Sequence, residues 1–88
     1  MSTNEIREII AQAIGIVTRD PWPVENWDEE SALRSLGISS LMLFQLVSEL
    51  ERLGGFRFDD ADIDSANFRT LGQVAGLLSR YPVESPAR

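Results

Sequence analysis

Neither cysteine nor histidine occurs in the 88 residues of this chain, so the side chains that could do chemistry are carboxylates, hydroxyls and guanidinium groups. Thiol nucleophiles, disulfides, imidazole bases and thiolate or imidazole metal sites are therefore absent from the unmodified chain. Among the carboxylates, Asp60, Asp62 and Asp64 alternate as the first three ligands of a calcium loop do. The pattern then fails, because the glycine position holds Ser65 and the closing bidentate position holds Leu71. The run reads instead as a solvated acidic loop that supplies helix caps. No two acids are isolated in an apolar setting, so no hydrolytic pair is indicated, and scattered glycines without any lysine make no phosphate-cradling loop. What remains is Leu36-Gly37-Ile38-Ser39-Ser40-Leu41, a turn signal leading straight into an apolar helical stretch. It sets a hydroxyl at a helix N-terminus. Such a serine can cap the helix, a role worth about 1 kcal/mol. It can also be the attachment point of a phosphodiester-linked group, because free N–H groups and the helix dipole favour a phosphate there.

The elements around that hydroxyl follow from apolar spacing. Ile6, Ile9, Ile10, Ala13, Ile14 and Val17 recur at steps of three and four, which predicts a first helix, and Ser2 with Glu5 forms a capping-box signature at its start. Asp20-Pro21-Trp22-Pro23 ends it, since proline lacks the N–H and pushes its predecessor toward extended geometry. Thr18 to Ser39 carries neither helical nor strand periodicity. So long a connection is expected to pack across the domain through Val24, Trp27, Leu33 and Leu36, with both tryptophans as anchors. A second helix runs from Ser40 to Leu53, with Leu41, Phe44, Val47 and Leu50 as a core-facing stripe and Met42, Leu43 and Leu46 as apolar surface beyond it. That surplus marks a face offered to something else. After Gly54-Gly55, Phe56 and Phe58 are expected to enter the core without forming a sheet, and Asp59 to Arg69 has room for one short helical turn burying Ile63 and Phe68. Thr70 and Gln73 form a second capping-box spacing, opening a last helix whose Leu71, Val74, Ala75, Leu77, Leu78 and Tyr81 share a face until Pro82 stops it.

Composition narrows the class. Eight basic residues, all arginine, against fourteen acidic ones give a net charge of −6, which argues against a phosphate-backbone partner and for partners with basic surfaces. A domain this small leaves little room for an enclosed active site beside a core. No apolar run approaches the roughly 18 residues of a membrane span, and the N-terminus lacks a cationic signal start, so a cytoplasmic location is expected.

The stretch L-G-I-S-S-L-M-L-F-Q-L-V-S-E-L-E, Leu36 to Glu51, resembles the modification motif of acyl and peptidyl carrier proteins, L-G-x-D-S-L followed by a helix. Ser40 matches the serine that carries 4′-phosphopantetheine. The order of elements on both sides matches as well, so the resemblance covers most of the chain. It implies an all-α, four-helix bundle with a long first loop and a short third helix, spanning residues 1–81, with 82–88 as a frayed tail. It further implies a carrier that catalyses nothing itself. A phosphopantetheinyl transferase would modify it from coenzyme A with Mg²⁺, and separate adenylating or acyltransferase enzymes would load it. The cargo would be a thioester on the arm, which accounts for thioester chemistry in a chain without cysteine.

Two departures refine the resemblance. Ser39 stands where the family commonly has aspartate, and Met42 and Gln45 stand where fatty-acid-type carriers place acids. The run after Ser40 is more similar to that of peptidyl and aminoacyl carriers, which implies nonribosomal peptide, polyketide or related biosynthesis. The initial Met, short tail and small acidic chain lead to the expectation of a free-standing monomer, with a domain excised from a larger synthase as the alternative. The partner face implied is Ser39, Leu41, Met42, Leu43, Gln45 and Leu46, with Glu49, Glu51 and Arg52 at its rim. The competing expectation is an unmodified acidic helical module that docks a partner through the apolar face of the second helix.

Overall fold

The computed structural model describes residues 2–81. Helix α1 spans Thr3–Thr18 and starts with the capping box that its sequence predicts: Ser2 Oγ accepts the Glu5 N–H at 3.2 Å while the Glu5 carboxylate accepts the Ser2 N–H at 3.4 Å. Ile6, Ile10, Ala13 and Ile14 are buried, with Ile9 and Val17 packed at the edge of the same core. Arg19 ends the helix in the left-handed region at φ 59°, just before Pro21.

The connection that follows contains two short 3₁₀ turns, Val24–Asn26 and Leu33–Leu36. It packs across the domain as expected, except that Val24 is half-buried away from the core. Leu33 is buried, and Trp22, Trp27 and Leu36 lie half-buried against the core. The Arg7 guanidinium stands 5.4 Å from the Trp27 ring centroid and 3.5 Å from Glu29, fastening the loop to α1. Gly37 then adopts φ 89°, a conformation that favours glycine, and this reversal turns Ile38 into the core and Ser39 and Ser40 outward.

Helix α2 spans Ser40–Gly54 and corrects the expected stripe. Leu46, Val47 and Leu50 are buried with Leu43 beside them, whereas Leu41 is 78% exposed and Phe44 67% exposed. The reason is geometric. Each three-residue step falls about 60° short of a full turn, so Leu41, Phe44, Val47 and Leu50 wind around the helix instead of following one face. Leu46, expected on the partner face, is fully buried between the helices and offers no surface for docking. Gly55 closes α2 at φ 68°. Phe56 and Phe58 then meet edge to face, 4.7 Å between ring centroids, and Phe58 also stacks edge-on to Phe68 and Tyr81.

The expected short third helix is not an α-helix. Two 3₁₀ turns, Asp60–Asp62 and Ser65–Phe68, take its place, so the described residues form three α-helices rather than four. The segment is below the length that repays α-helix nucleation, and its polar side chains bond the local backbone instead. Asp64 accepts the Ala66 N–H at 3.1 Å, and the Asn67 amide donates to the Asp62 carbonyl at 3.0 Å. Phe68 is buried and Ile63 half-buried, as the sequence predicts.

Helix α3, Leu71–Leu78, begins with the Thr70–Gln73 capping box and buries Leu71, Val74, Leu77 and Leu78. It ends ahead of Pro82, which with the C-terminal tail lies outside the described residues. The helices pack with α1 against both α2 and α3. A main-chain clasp joins the long loop to the start of α3: Ala32 and Thr70 form an antiparallel bridge, Leu33 N–H donates to the Arg69 carbonyl at 2.9 Å, and Leu71 N–H donates to the Ser31 carbonyl at 3.0 Å. Gly72 N–H completes it with the Glu29 carbonyl at 2.9 Å. A Cβ at Gly72 would stand 3.0 Å from that same oxygen, so only glycine permits this approach without a shift of the loop.

Candidate functional site

Ser40 is the first residue of α2, and Ser39 is its N-cap. The two hydroxyls differ in what engages them. Ser39 Oγ accepts the Met42 N–H at 3.2 Å, satisfying one of the free amides of the helix start. Among the described residues no hydrogen bond engages the exposed Ser40 hydroxyl, and no carbonyl covers the Ser40 or Leu41 N–H. The α2 N-terminus is thus capped once and otherwise open, which leaves backbone donors and the positive end of the dipole beside a free hydroxyl.

Ser40 lies where two depressions meet. The larger, about 630 Å³, runs between the loop and the 65–70 segment, with Leu33, Ile38, Leu43 and Phe68 supplying apolar wall and Arg34 and Arg69 charge. The smaller, about 190 Å³, continues along α2 past Phe44 and Val47 toward Ile63. Three arginines of the described residues are in ion pairs, Arg7, Arg52 and Arg80, whereas Arg19, Arg34, Arg57 and Arg69 have no described carboxylate within 4.0 Å. Two acids of the 60–64 run are occupied locally: Asp64 caps the Ser65–Phe68 turn, and Asp62 accepts from the Tyr81 hydroxyl with Arg80 at 4.0 Å, while Asp60 is exposed. Burial raises the Tyr81 phenol above its ordinary range, and the hydrogen bond and charge of Asp62 push in the same direction against the Asp59 N–H that Tyr81 accepts.

Of the residues expected at the partner face, Ser39, Leu41 and Gln45 are exposed, Met42 and Leu43 are half-buried against the core, and Leu46 is interior. Spacing predicts Phe44 in the core, yet it stands in solvent beside Leu41, one turn from Ser40. Arg34, Ser65, Phe68 and Arg69 form walls of the Ser40 cleft without any signal in the linear sequence, because the clasp that gathers them joins residues far apart in the chain.

The small helical bundle thus presents an unengaged serine hydroxyl at an open helix start. A family model described as the phosphopantetheine attachment site matches residues 4–78, and the chain belongs to that family. It is accordingly a carrier whose prosthetic group is covalent 4′-phosphopantetheine, and it is not itself an enzyme. Carriers of this family work with a phosphopantetheinyl transferase and with biosynthetic enzymes. No curated protein and no solved structure gives a significant match to the chain. No described helix is long and apolar enough to cross a membrane.

Proposed function

We propose that Ser40 is the attachment residue and that the chain presents aminoacyl or related acyl thioesters to enzymes of nonribosomal peptide or polyketide type. The observation that carries the assignment is the contrast between adjacent serines: Ser39 is committed to capping, and Ser40 is exposed with its hydroxyl unengaged. The residues present suit the group. A phosphodiester on Ser40 Oγ would lie beside the uncovered Ser40 and Leu41 amides, whose N–H donors and dipole stabilise negative charge. Ser40 Oγ takes the phosphopantetheinyl group from coenzyme A as the diphosphate linkage breaks, adenosine 3′,5′-bisphosphate leaves, and the hydroxyl proton passes to a base on the transferase. The arm supplies the thiol that the chain lacks.

The peptidyl-type reading rests on the exposed side of α2. Its first turn contains no acid, and the exposed Leu41 and Phe44 add apolar surface beside Met42 and Gln45, which stand where acids would otherwise steer a basic partner. Partner enzymes are therefore read as docking through Leu41, Met42, Phe44 and Gln45, with Arg52 and Glu49, paired at 2.6 Å, at the rim. Intact mass of the native chain, Ser40→Ala and Ser39→Ala after incubation with coenzyme A, Mg²⁺ and a promiscuous transferase tests the assignment. The native chain and Ser39→Ala gain one phosphopantetheinyl group and Ser40→Ala gains none; retention of the gain in Ser40→Ala overturns it.

A further inference from the structure

We infer that the cleft beside Ser40 selects an acyl cargo that bears a second, free carboxylate, which Arg34 and Arg69 bind while the hydrocarbon portion lies on Leu33, Ile38, Leu43 and Phe68. The inference rests on Ser40 as the attachment residue. Its evidence is separate: a cleft of about 630 Å³ lies within the range of small-molecule sites and adjoins the tether point. Its lining combines apolar side chains from the loop, α2 and the 65–68 turn with four hydroxyl residues, Ser39, Ser40, Ser65 and Thr70, and two arginines, Arg34 and Arg69. Among the described residues neither cation has a carboxylate within 4.0 Å, a state they share with Arg19 and Arg57, whereas Arg7, Arg52 and Arg80 each have one; Arg34 and Arg69 are the two of these four that line the cleft. Guanidinium is the side chain best matched to a carboxylate, through its planar fork of donors.

The phosphodiester is not the anion this cleft is shaped for. It is fixed at Ser40 Oγ, where the uncovered amides of α2 serve it, and a phosphate has no use for an apolar wall. A carboxylate at the far end of a folded-back cargo uses both parts of the lining. The cleft's own lining holds two arginines and no carboxylate, and the adjoining depression adds one acid, Asp64, so positive charge stays in excess among the lining residues.

The test loads the full chain with adipoyl or hexanoyl phosphopantetheine from the corresponding coenzyme A thioesters, confirms each adduct by intact mass, and compares it with the unacylated arm. Amide and guanidinium NMR signals of Leu33, Arg34, Phe68 and Arg69 should move with the adipoyl cargo alone. The adipoyl thioester should also be released by hydroxylamine about two- to fivefold more slowly than the hexanoyl one, the range of an exposed ion pair. Arg34→Gln with Arg69→Gln, still modified at Ser40, should abolish both differences, and raised salt should shrink them. Equal shifts with both cargoes overturn the inference, as an apolar cleft without charge selection. Shifts already complete with the unacylated arm overturn it in favour of the phosphodiester. Absence of any arm on the native chain overturns the Ser40 assignment and this inference together.

Discussion

Helices α2 and α3 start alike and are finished differently. Each has a hydroxyl N-cap whose oxygen accepts the N–H three residues on, Ser39 to Met42 and Thr70 to Gln73, both at 3.2 Å. At α3 the chain covers what remains: the Ser31 carbonyl takes the Leu71 N–H, the Glu29 carbonyl takes the Gly72 N–H, and Leu71 itself is fully buried. At α2 the corresponding amides of Ser40 and Leu41 receive no carbonyl, and both residues are exposed. Identical helix physics thus yields a structural joint in one place and a receptive end in the other. The difference lies in whether a neighbouring segment approaches, which Gly72 permits at α3.

The contrast is broken most sharply at the first residue of each helix. Leu71→Ala is expected to lower stability by about 2–5 kcal/mol, a buried-leucine truncation, whereas Ser40→Ala stays within about 0.5 kcal/mol of the native chain. Urea denaturation of both variants decides it, and a Ser40→Ala loss as large as that of Leu71→Ala would mean that α2's start is structural after all. Gly72→Ala comes next. Pressing a methyl to within 3.0 Å of the Glu29 oxygen is expected to cost about 1–3 kcal/mol as the loop shifts, with hydrogen exchange quickened at Leu33 and Leu71 and unchanged at Met42.

Smaller changes sharpen the comparison. Ser39→Ala and Thr70→Ala each remove one cap and should each cost about 1 kcal/mol, but only the first alters the end that holds Ser40, so only the first should slow phosphopantetheinylation. The smallest effect concerns the turn after α3. Tyr81 accepts the Asp59 N–H at 3.0 Å and donates to Asp62, and Tyr81→Phe should cost about 1 kcal/mol. Because the folded chain holds the phenol proton more tightly than the unfolded one does, this stabilisation is complete below the unfolded phenol pKa and is lost as pH rises through the raised folded value. Stability measured across the alkaline range should therefore fall more for the native chain than for Tyr81→Phe.

Much of this architecture was legible in the chain itself. Alternation of isoleucines at three and four fixed the inward face of α1, and S-x-x-E and T-x-x-Q marked two helix starts that the structure reproduces. The carrier class was legible through the L-G-I-S-S-L stretch, and the family match shows it. The phase of α2 was not. Leu41, Met42, Leu43, Phe44 and Leu46 surround the helix with apolar residues, so periodicity alone offers no preferred side, and burial is decided by where α1 lies. The short helix expected between Asp59 and Arg69 was lost to competition from Asp64 and Asn67 for the local backbone, a balance that spacing does not reveal. The Ser40 cleft was least legible, since its far wall is brought in by backbone pairing between the long loop and Thr70.

That pairing has an evolutionary consequence. Residues 29–33 and 69–72 are joined through main-chain N–H and C=O groups, which nearly every amino acid possesses, so the frame around the cleft does not depend on the side chains displayed from it. Exposed positions such as Arg34 and Arg69 can be exchanged without dismantling the frame. Proline at 33, 71 or 72, where an N–H is donated, and any side chain at Gly72 are the exceptions. The lining can thus drift toward a new ligand while the scaffold is inherited unchanged, which makes positions 34 and 69 the natural starting library for redirecting what this chain accepts.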